Sequence, residues 1–279
     1  MKTLQRLLVV AGAGRYPEYI VTGARKAGVA TDVVAIRGST SRSTCKAAQH
    51  VHWITLGGIA EAIRWAGRQG YDGIIIAGQV NPLSLFRGRF DPEVTRWLKE
   101  LPVKTAHTVF TKLIEKFAAA GLETLPASLY MDEHLPQEGA LTVRGFTAEE
   151  ASDIKHAMDV VRDIGRHDVG QTVMVKRGMV LAVEAFEGTN AAIKRGGRLG
   201  GKGSVLFKAA REGHDMRFDI PVVGLKTLKV MHRAGVTALG FHAGRLILLD
   251  PEAVIAYANR HDIALVGVES GLPKAPLRP

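Results

Sequence analysis

Two aspartates and an arginine occupy alternate positions in Asp215-Met-Arg217-Phe-Asp219. On an extended segment this spacing turns all three side chains to one face, because successive strand residues point to opposite sides. Two carboxylates beside a guanidinium suit a phosphate or a metal–phosphate. Hard cations such as Mg²⁺ take oxygen ligands and share them with substrate phosphates, and an arginine can grip phosphate oxygens bidentately. Lys208 stands just upstream, with Lys194 and Arg195 before it. Solvated ion pairs on a sheet edge are the plainer alternative, and spacing alone does not separate the two.

The stretch from Asp168 to Gly224 must position these groups. Residues 171–176 and 179–185 are rich in Val and alternate around Arg177-Gly178, the pattern of a β-hairpin. The return strand runs into Glu187-Gly188-Thr189-Asn190. A strand-to-helix turn there would offer backbone N–H groups and the positive helix end to an anion. A short helix over 191–195 is expected to stop at Gly196-Gly197. A strand over 204–209 then carries Lys208 toward the acidic segment.

At this point the motifs become recognisable. Asp168-Val-Gly-Gln171, Ala182-Val-Glu-Ala-Phe-Glu-Gly-Thr189, Arg195, Lys208-Ala-Ala, and Asp215-x-Arg217-Phe-Asp219-Ile-Pro221 with Gly224 resemble the LpxI-type UDP-2,3-diacylglucosamine diphosphatases of lipid A synthesis. Ala11-Gly-Ala-Gly-Arg-Tyr-Pro17 and Leu135-Pro-Gln-Glu-Gly-Ala-Leu-Thr142 add two further matches, all in the same order from about 7 to 250. Two departures stand out. The family's Glu-Gly-Thr-Asp reads Glu187-Gly-Thr-Asn190, and Gly145-Phe146 stands where a proline is expected before a helix.

The resemblance implies Mg²⁺-dependent hydrolysis of UDP-2,3-diacylglucosamine to UMP and 2,3-diacylglucosamine 1-phosphate (lipid X). It implies Asp219, Asp215, Arg217 and Lys208 as catalytic groups, with Asp219, Glu187 and Asp168 as metal ligands. Glu184 is a further carboxylate for the metal or the attacking water. Gly12, Gly14, Arg15, Gln79, Gln171, Gly188, Thr189, Asn190 and Arg195 would hold the substrate. The expected partners are that lipid-linked sugar nucleotide, the inner face of the cytoplasmic membrane in transient contact, and a second copy in a homodimer. Asn190 motivates a rival, a sugar-nucleotide-binding protein that has lost turnover.

Composition sets wider bounds. A chain of 279 residues favours one large or two ordinary domains, and 46% hydrophobic with 23% charged residues is globular usage. The single cysteine, Cys45, excludes an internal disulfide, fits a reducing compartment, and sits in a polar run that reads as surface. The first apolar run is too short for a signal peptide, and no run approaches the roughly 20 apolar residues of a membrane span. The expected location is the cytoplasm, peripheral at the inner membrane. A net charge of +10 asks for an acidic partner. The basic residues are scattered and aromatics are 6%, which argues against nucleic acid. A phosphorylated substrate and an anionic membrane explain the charge equally well.

In the first half, residues 6–11 followed by Gly12-Ala-Gly14 and a helix opening at Pro17 start a βαβ unit. Pro17 at the third glycine position, and Ile36-Arg37 where a ribose-binding acid belongs, argue against NAD. An anion on the glycine turn remains open. Residues 72–77 are apolar on both faces and end at Gly78-Gln-Val-Asn-Pro82. Open α/β sheets bind ligands at such strand ends, so Gln79 and Asn81 are candidates for uridine or ribose; a plain Asn-Pro turn explains them as well. Residues 122–131 should return to the sheet, and His134 should be exposed. Thr147 and Glu150 form a capping box, and Ala151, Ile154, Met158 and Val161 mark a core-facing helix. The expected fold is α/β: a Rossmann-like domain with a parallel sheet over 1–135, binding the nucleotide, and a mixed α/β domain over 136–279, carrying catalysis and the lipid.

Overall fold

Strands apolar on both faces need helices on both sides, and this requirement organises the first half of the chain. The computed structural model describes residues 4–79, 90–210, 217 and 220–269. Strands β1 (Arg6–Ala11), β2 (Ala30–Ile36), β3 (Val51–Ile54) and β4 (Gly73–Ala77) form a four-stranded parallel sheet in the order β3-β2-β1-β4. Helices α1 (Tyr16–Lys26), α2 (Arg42–Ala47), α3 (Ile59–Ala66), α4 (Pro92–Glu100) and α5 (Ala106–Ala119) accompany it. Leu8, Val34, Ile74 and Phe117 lie in the core.

Local contacts refine two expectations here. The polar run around Cys45 is helical, because the Ser41 side chain accepts from the Thr44 N–H and caps α2, and Cys45 is half-buried. The segment 122–131 does return to the sheet, but only as a bridge: Ile74 N–H donates to the Glu123 carbonyl and Leu125 N–H to the Ile74 carbonyl, both at 2.8 Å, and turns follow.

The main division between two compact units falls between Asp132 and Glu133. The second unit contains β5 (Gly139–Ala140), α6 (Ala148–Gly165), β6 (Thr172–Lys176), β7 (Met179–Val183), α7 (Thr189–Gly200) and β8 (Ser204–Lys208). It continues with β9 (Val222–Val223), α8 (Leu225–Arg233), β10 (Val236–His242), β11 (Ile247–Leu248), α9 (Pro251–Arg260) and β12 (Ala264–Val268). Its six-stranded sheet runs β5-β12-β10-β8-β6-β7, with β8, β10 and β12 parallel and β5, β6 and β7 in antiparallel pairings. β9 and β11 pair separately in parallel. Ile154, Ala157 and Val161 of α6 pack with Phe207 on one face. Ile193, Leu228 and Val254 of the other helices pack with Met174 and Leu206 on the opposite face. The architecture is α/β, a parallel sheet in one unit and a mixed sheet in the other.

The hairpin turn is left-handed at Arg177 and Gly178 (φ 49° and 72°), and buried Asp153 accepts both of their N–H groups at 2.8 and 2.7 Å. Ala151 is exposed and Ala157 takes its place in the core. His134 is half-buried, and its Nδ1–H donates to the Leu248 carbonyl at 2.9 Å. The largest departure is α7, which does not stop at Gly196-Gly197 but runs to Gly200. A Cβ at Gly196 would lie 2.4 Å from Met174 Sδ, and one at Gly197 2.6 Å from Ala234 Cβ. These glycines let the helix close on the sheet and on α8; Gly201, at φ 60°, ends it.

Candidate active site

Lys208 ends β8 and is only 4% exposed. Strand alternation puts it on the same face as Leu206, toward α7. There Nζ donates to Thr189 Oγ1 at 2.8 Å, in the first turn of α7, and to Thr172 Oγ1 at 3.3 Å on β6. Glu184 balances the charge: its Oε2 lies 3.7 Å from Nζ, and Oε1 accepts from the Thr189 hydroxyl at 2.8 Å. The ammonium therefore sits beside the positive end of a helix, where an anion is favoured.

The backbone fixes this cluster. The Thr172 carbonyl accepts from Glu184 N, and the Gln171 carbonyl accepts from Ala209 N. A Cβ at Gly170 would lie 2.1 Å from the Glu184 carbonyl oxygen, so only glycine lets this strand entry close on the site. Gly188, at φ 80°, precedes α7, and no side chain caps the helix start. Arg195 reaches back past the helix start, donating to the Val183 carbonyl at 2.8 Å and to Glu187 Oε1. That bond holds the Glu187 carboxyl below its ordinary range.

Lys208, Gln171, Gly188, Thr189 and Asn190 thus gather around Glu184 and Thr172, with Glu187 and Arg195 paired at the rim. Asp168 is exposed, with a left-handed φ of 54°. Arg217 is half-buried in a turn rather than a strand. Asp215, Asp219 and Asn81 lie outside the described residues. Among the described residues no three His, Cys, Asp or Glu side chains group to hold a metal. Two buried oxygens of the cluster, Glu184 Oε2 and Asn190 Oδ1, have no hydrogen bond. They are of the oxygen type that Mg²⁺ takes.

In the first unit, Gly12, Gly14, Arg15 and Gln79 also come together, but differently. The N–H groups of Gly12 and Ala13 donate to the Ala77 and Gln79 carbonyls at 2.8 Å, so the turn closes on itself. A Cβ at Gly12 would meet Gln79 O at 2.6 Å, which gives the first glycine a packing reason. Arg15 is exposed, 3.7 Å from Glu18 and stacked over Tyr19. Beside this turn lies an apolar pocket of about 130 Å³, lined by Val10, Ile36 and Ile76 of the sheet and Trp97, Phe110 and Leu113 of α4 and α5.

Two groups escaped the sequence reading. His242 ends β10, beside Lys208's strand, with its ring edge-on to Phe207 at 5.2 Å. Burial, helped by Arg245, pushes the imidazole down to about 4, so it is neutral near pH 7, and its Nδ1 has no hydrogen bond. Arg245 is 4% exposed, and burial lowers its affinity for a proton. The available signal was positional: a histidine at the carboxyl end of an apolar strand.

Solved structures offer little. The biotin carboxylase subunit of pyruvate carboxylase aligns at 13% identity over 66% of this chain and 39% of that chain, with a TM-score of 0.28. The biotin carboxylase domain of a thermophilic 2-oxoglutarate carboxylase aligns at 14% over 62% and 35%, with a TM-score of 0.24. Neither likeness is strong enough to argue from. Sequence relationships are far closer. The LpxI N-terminal domain model matches residues 6–134 and the LpxI C-terminal domain model residues 137–266. A Caulobacter vibrioides protein named UDP-2,3-diacylglucosamine pyrophosphatase LpxI is 31% identical over 278 residues, 95% of this chain and 98% of its own. Matches to both domain models, in order and across both units, identify the chain as a member of the LpxI family.

Proposed function

We propose that this protein hydrolyses UDP-2,3-diacylglucosamine, as the name of its Caulobacter relative suggests, in lipid A biosynthesis. Water adds across the P–O–P bridge and leaves two phosphate monoesters, UMP and 2,3-diacylglucosamine 1-phosphate. The observation that carries this reading is Lys208, a buried ammonium at the uncapped start of α7 with Glu184 as its partner. Such a cation, held in place before the substrate arrives, stabilises charge that grows as the P–O bond breaks. Thr189 fixes both members of the pair, and Asn190 and Gln171 would contact the phosphates.

Mg²⁺ would be held by Glu184 and the Asn190 carbonyl oxygen of the second unit; Asp219 is the acid that the family resemblance assigns to the chemistry. When bound, it would neutralise the diphosphate and polarise the attacked phosphorus. The apolar pocket of the first unit is our candidate for an acyl chain, in place of the 136–279 half to which the sequence reading gave the lipid. Its roughly 130 Å³ is comparable to the engineered cavities of about 150 Å³ that stay dry and take small apolar ligands.

The test is direct. Purified protein with Mg²⁺ and UDP-2,3-diacylglucosamine should release UMP, and chelation should stop it. Asp219→Ala should bind substrate and hold it intact. Tight binding by the unaltered protein without UMP release would overturn hydrolysis in favour of a binding protein.

A further inference from the structure

We propose that the groove between α7 and α8 docks the protein on an anionic lipid surface. Lys194 and Arg198 stand one turn apart on α7, and Lys226, Lys229 and Arg233 recur at three- and four-residue steps on α8. Each helix therefore turns one basic face to the groove. All five line a single depression of about 690 Å³, whose described lining contains no acidic residue. Gly197 makes the convergence possible by letting α7 close on Ala234.

Several other cations among the described residues are matched. Arg64 pairs with Glu93, Arg144 with Glu150, and Arg195 with Glu187. The five in the groove have no ion-pair partner among the described residues, and their carbon-rich stems around Val230 leave the charges in water. Uncompensated like charges held together await an extended anion.

Apolar neighbours point to lipid. Leu199, next to Arg198, is 69% exposed, and Met179 on the edge strand β7 is 64% exposed. β7 packs on α7 where Leu181 meets Gly200. A basic face bordered by exposed apolar side chains is the make-up of an interfacial surface. The groove lining has no aromatic ring on which a base could stack. This inference rests on the proposed function, since a diacylated substrate resides in a bilayer. α7 carries Thr189 of the site at its start and Arg198 of the groove about 13 Å further on, at roughly 1.5 Å per residue.

Each basic residue at an anionic surface strengthens partitioning about fivefold. The test is sedimentation with vesicles of phosphatidylglycerol and phosphatidylcholine against phosphatidylcholine alone. The protein should partition onto the anionic vesicles only, and added salt should release it. The triple variant Lys226→Glu, Lys229→Glu, Arg233→Glu should lose about a hundredfold in partitioning, yet still release UMP from dispersed short-chain substrate. Reversals at Arg37, Arg42 and Lys46 should leave partitioning unchanged. Equal loss from both triples would reduce the effect to net charge and overturn the groove. Binding to duplex DNA that exceeds binding to vesicles at the same salt, and is lost in the first triple, would make it a nucleic-acid surface instead. UMP release without vesicle binding overturns docking alone. Vesicle binding without UMP release leaves docking standing and overturns hydrolysis.

Discussion

The two sheets end in opposite ways. At the carboxyl ends of β1 and β4 the backbone pairs with itself through Ala13 and Gln79, and the adjoining space is apolar. At the carboxyl ends of β8 and β10 stand Lys208 and His242, with a helix start and the buried Glu184 carboxylate close to Lys208. Strand ends are where α/β sheets bind ligands, but the sheet only provides the place. Whether the N–H groups there are already bonded, and whether the flanking side chains carry charge, sets what the place can hold. The glycine turn of the first unit looks like a phosphate cradle in sequence, yet the N–H groups of Gly12 and Ala13 are engaged. The cation that could meet a phosphate is in the second unit.

The sharpest way to break this contrast is Lys208→Met, which keeps the stem and removes the charge. Turnover should fall about a thousandfold, roughly 4 kcal/mol of barrier. Because Glu184 would then be buried without its cation, the variant should also be less stable, and adding Glu184→Gln should recover stability but not turnover. Near-normal UMP release from Lys208→Met would remove the second unit's claim to the phosphate chemistry.

Next in size is a pH effect confined to the polar end. His242 has its folded-state pKa near 4, below the unfolded value of about 6.5. Between these values the unfolded chain binds the extra proton, so stability rises with pH across that window and is complete above it. Falling from pH 7 to 4 should cost at most about 3 kcal/mol from this group, and less with solvent screening. Urea midpoints measured against pH should show this slope, and His242→Phe should flatten it. An unchanged slope would return His242 to an ordinary solvated histidine.

The apolar end is probed by Leu113→Trp, which fills the pocket from α5. KM for the diacylated substrate should rise about tenfold, near 1.4 kcal/mol, while a deacylated analogue should be handled as before. Equal effects on both would mean that the pocket is core packing. The smallest change is expected for Asn190→Asp. An amide carbonyl already offers an oxygen there, so the rate should shift by tenfold or less; rescue of an inactive parent would contradict this.

Local chemistry made much of the chain legible in sequence. β1, β4 and β8 lie where their apolar runs lie, the Thr147–Glu150 capping box starts α6, and the Arg177-Gly178 turn closes its hairpin. Each of these depends on residues a few positions apart, so hydrophobic period, capping and turn preference are sufficient. The motif around Lys208 and Thr189 was likewise visible, and both residues occupy one cluster. What could not be read depends on partners far away in the chain. Gly196-Gly197 reads as a helix stop until Met174 and Ala234 are seen pressing against it. Gly170 has no evident purpose until the Glu184 carbonyl is placed above it. Glu184, rather than the rim residue Glu187, became the partner of Lys208 because β7 ends at Val183 and the chain then turns into α7. Sequence sets which residues can carry charge and which segments extend or coil. Burial, which turns an ordinary lysine into a site and an ordinary histidine into a neutral one, exists only once strands distant in the chain have packed.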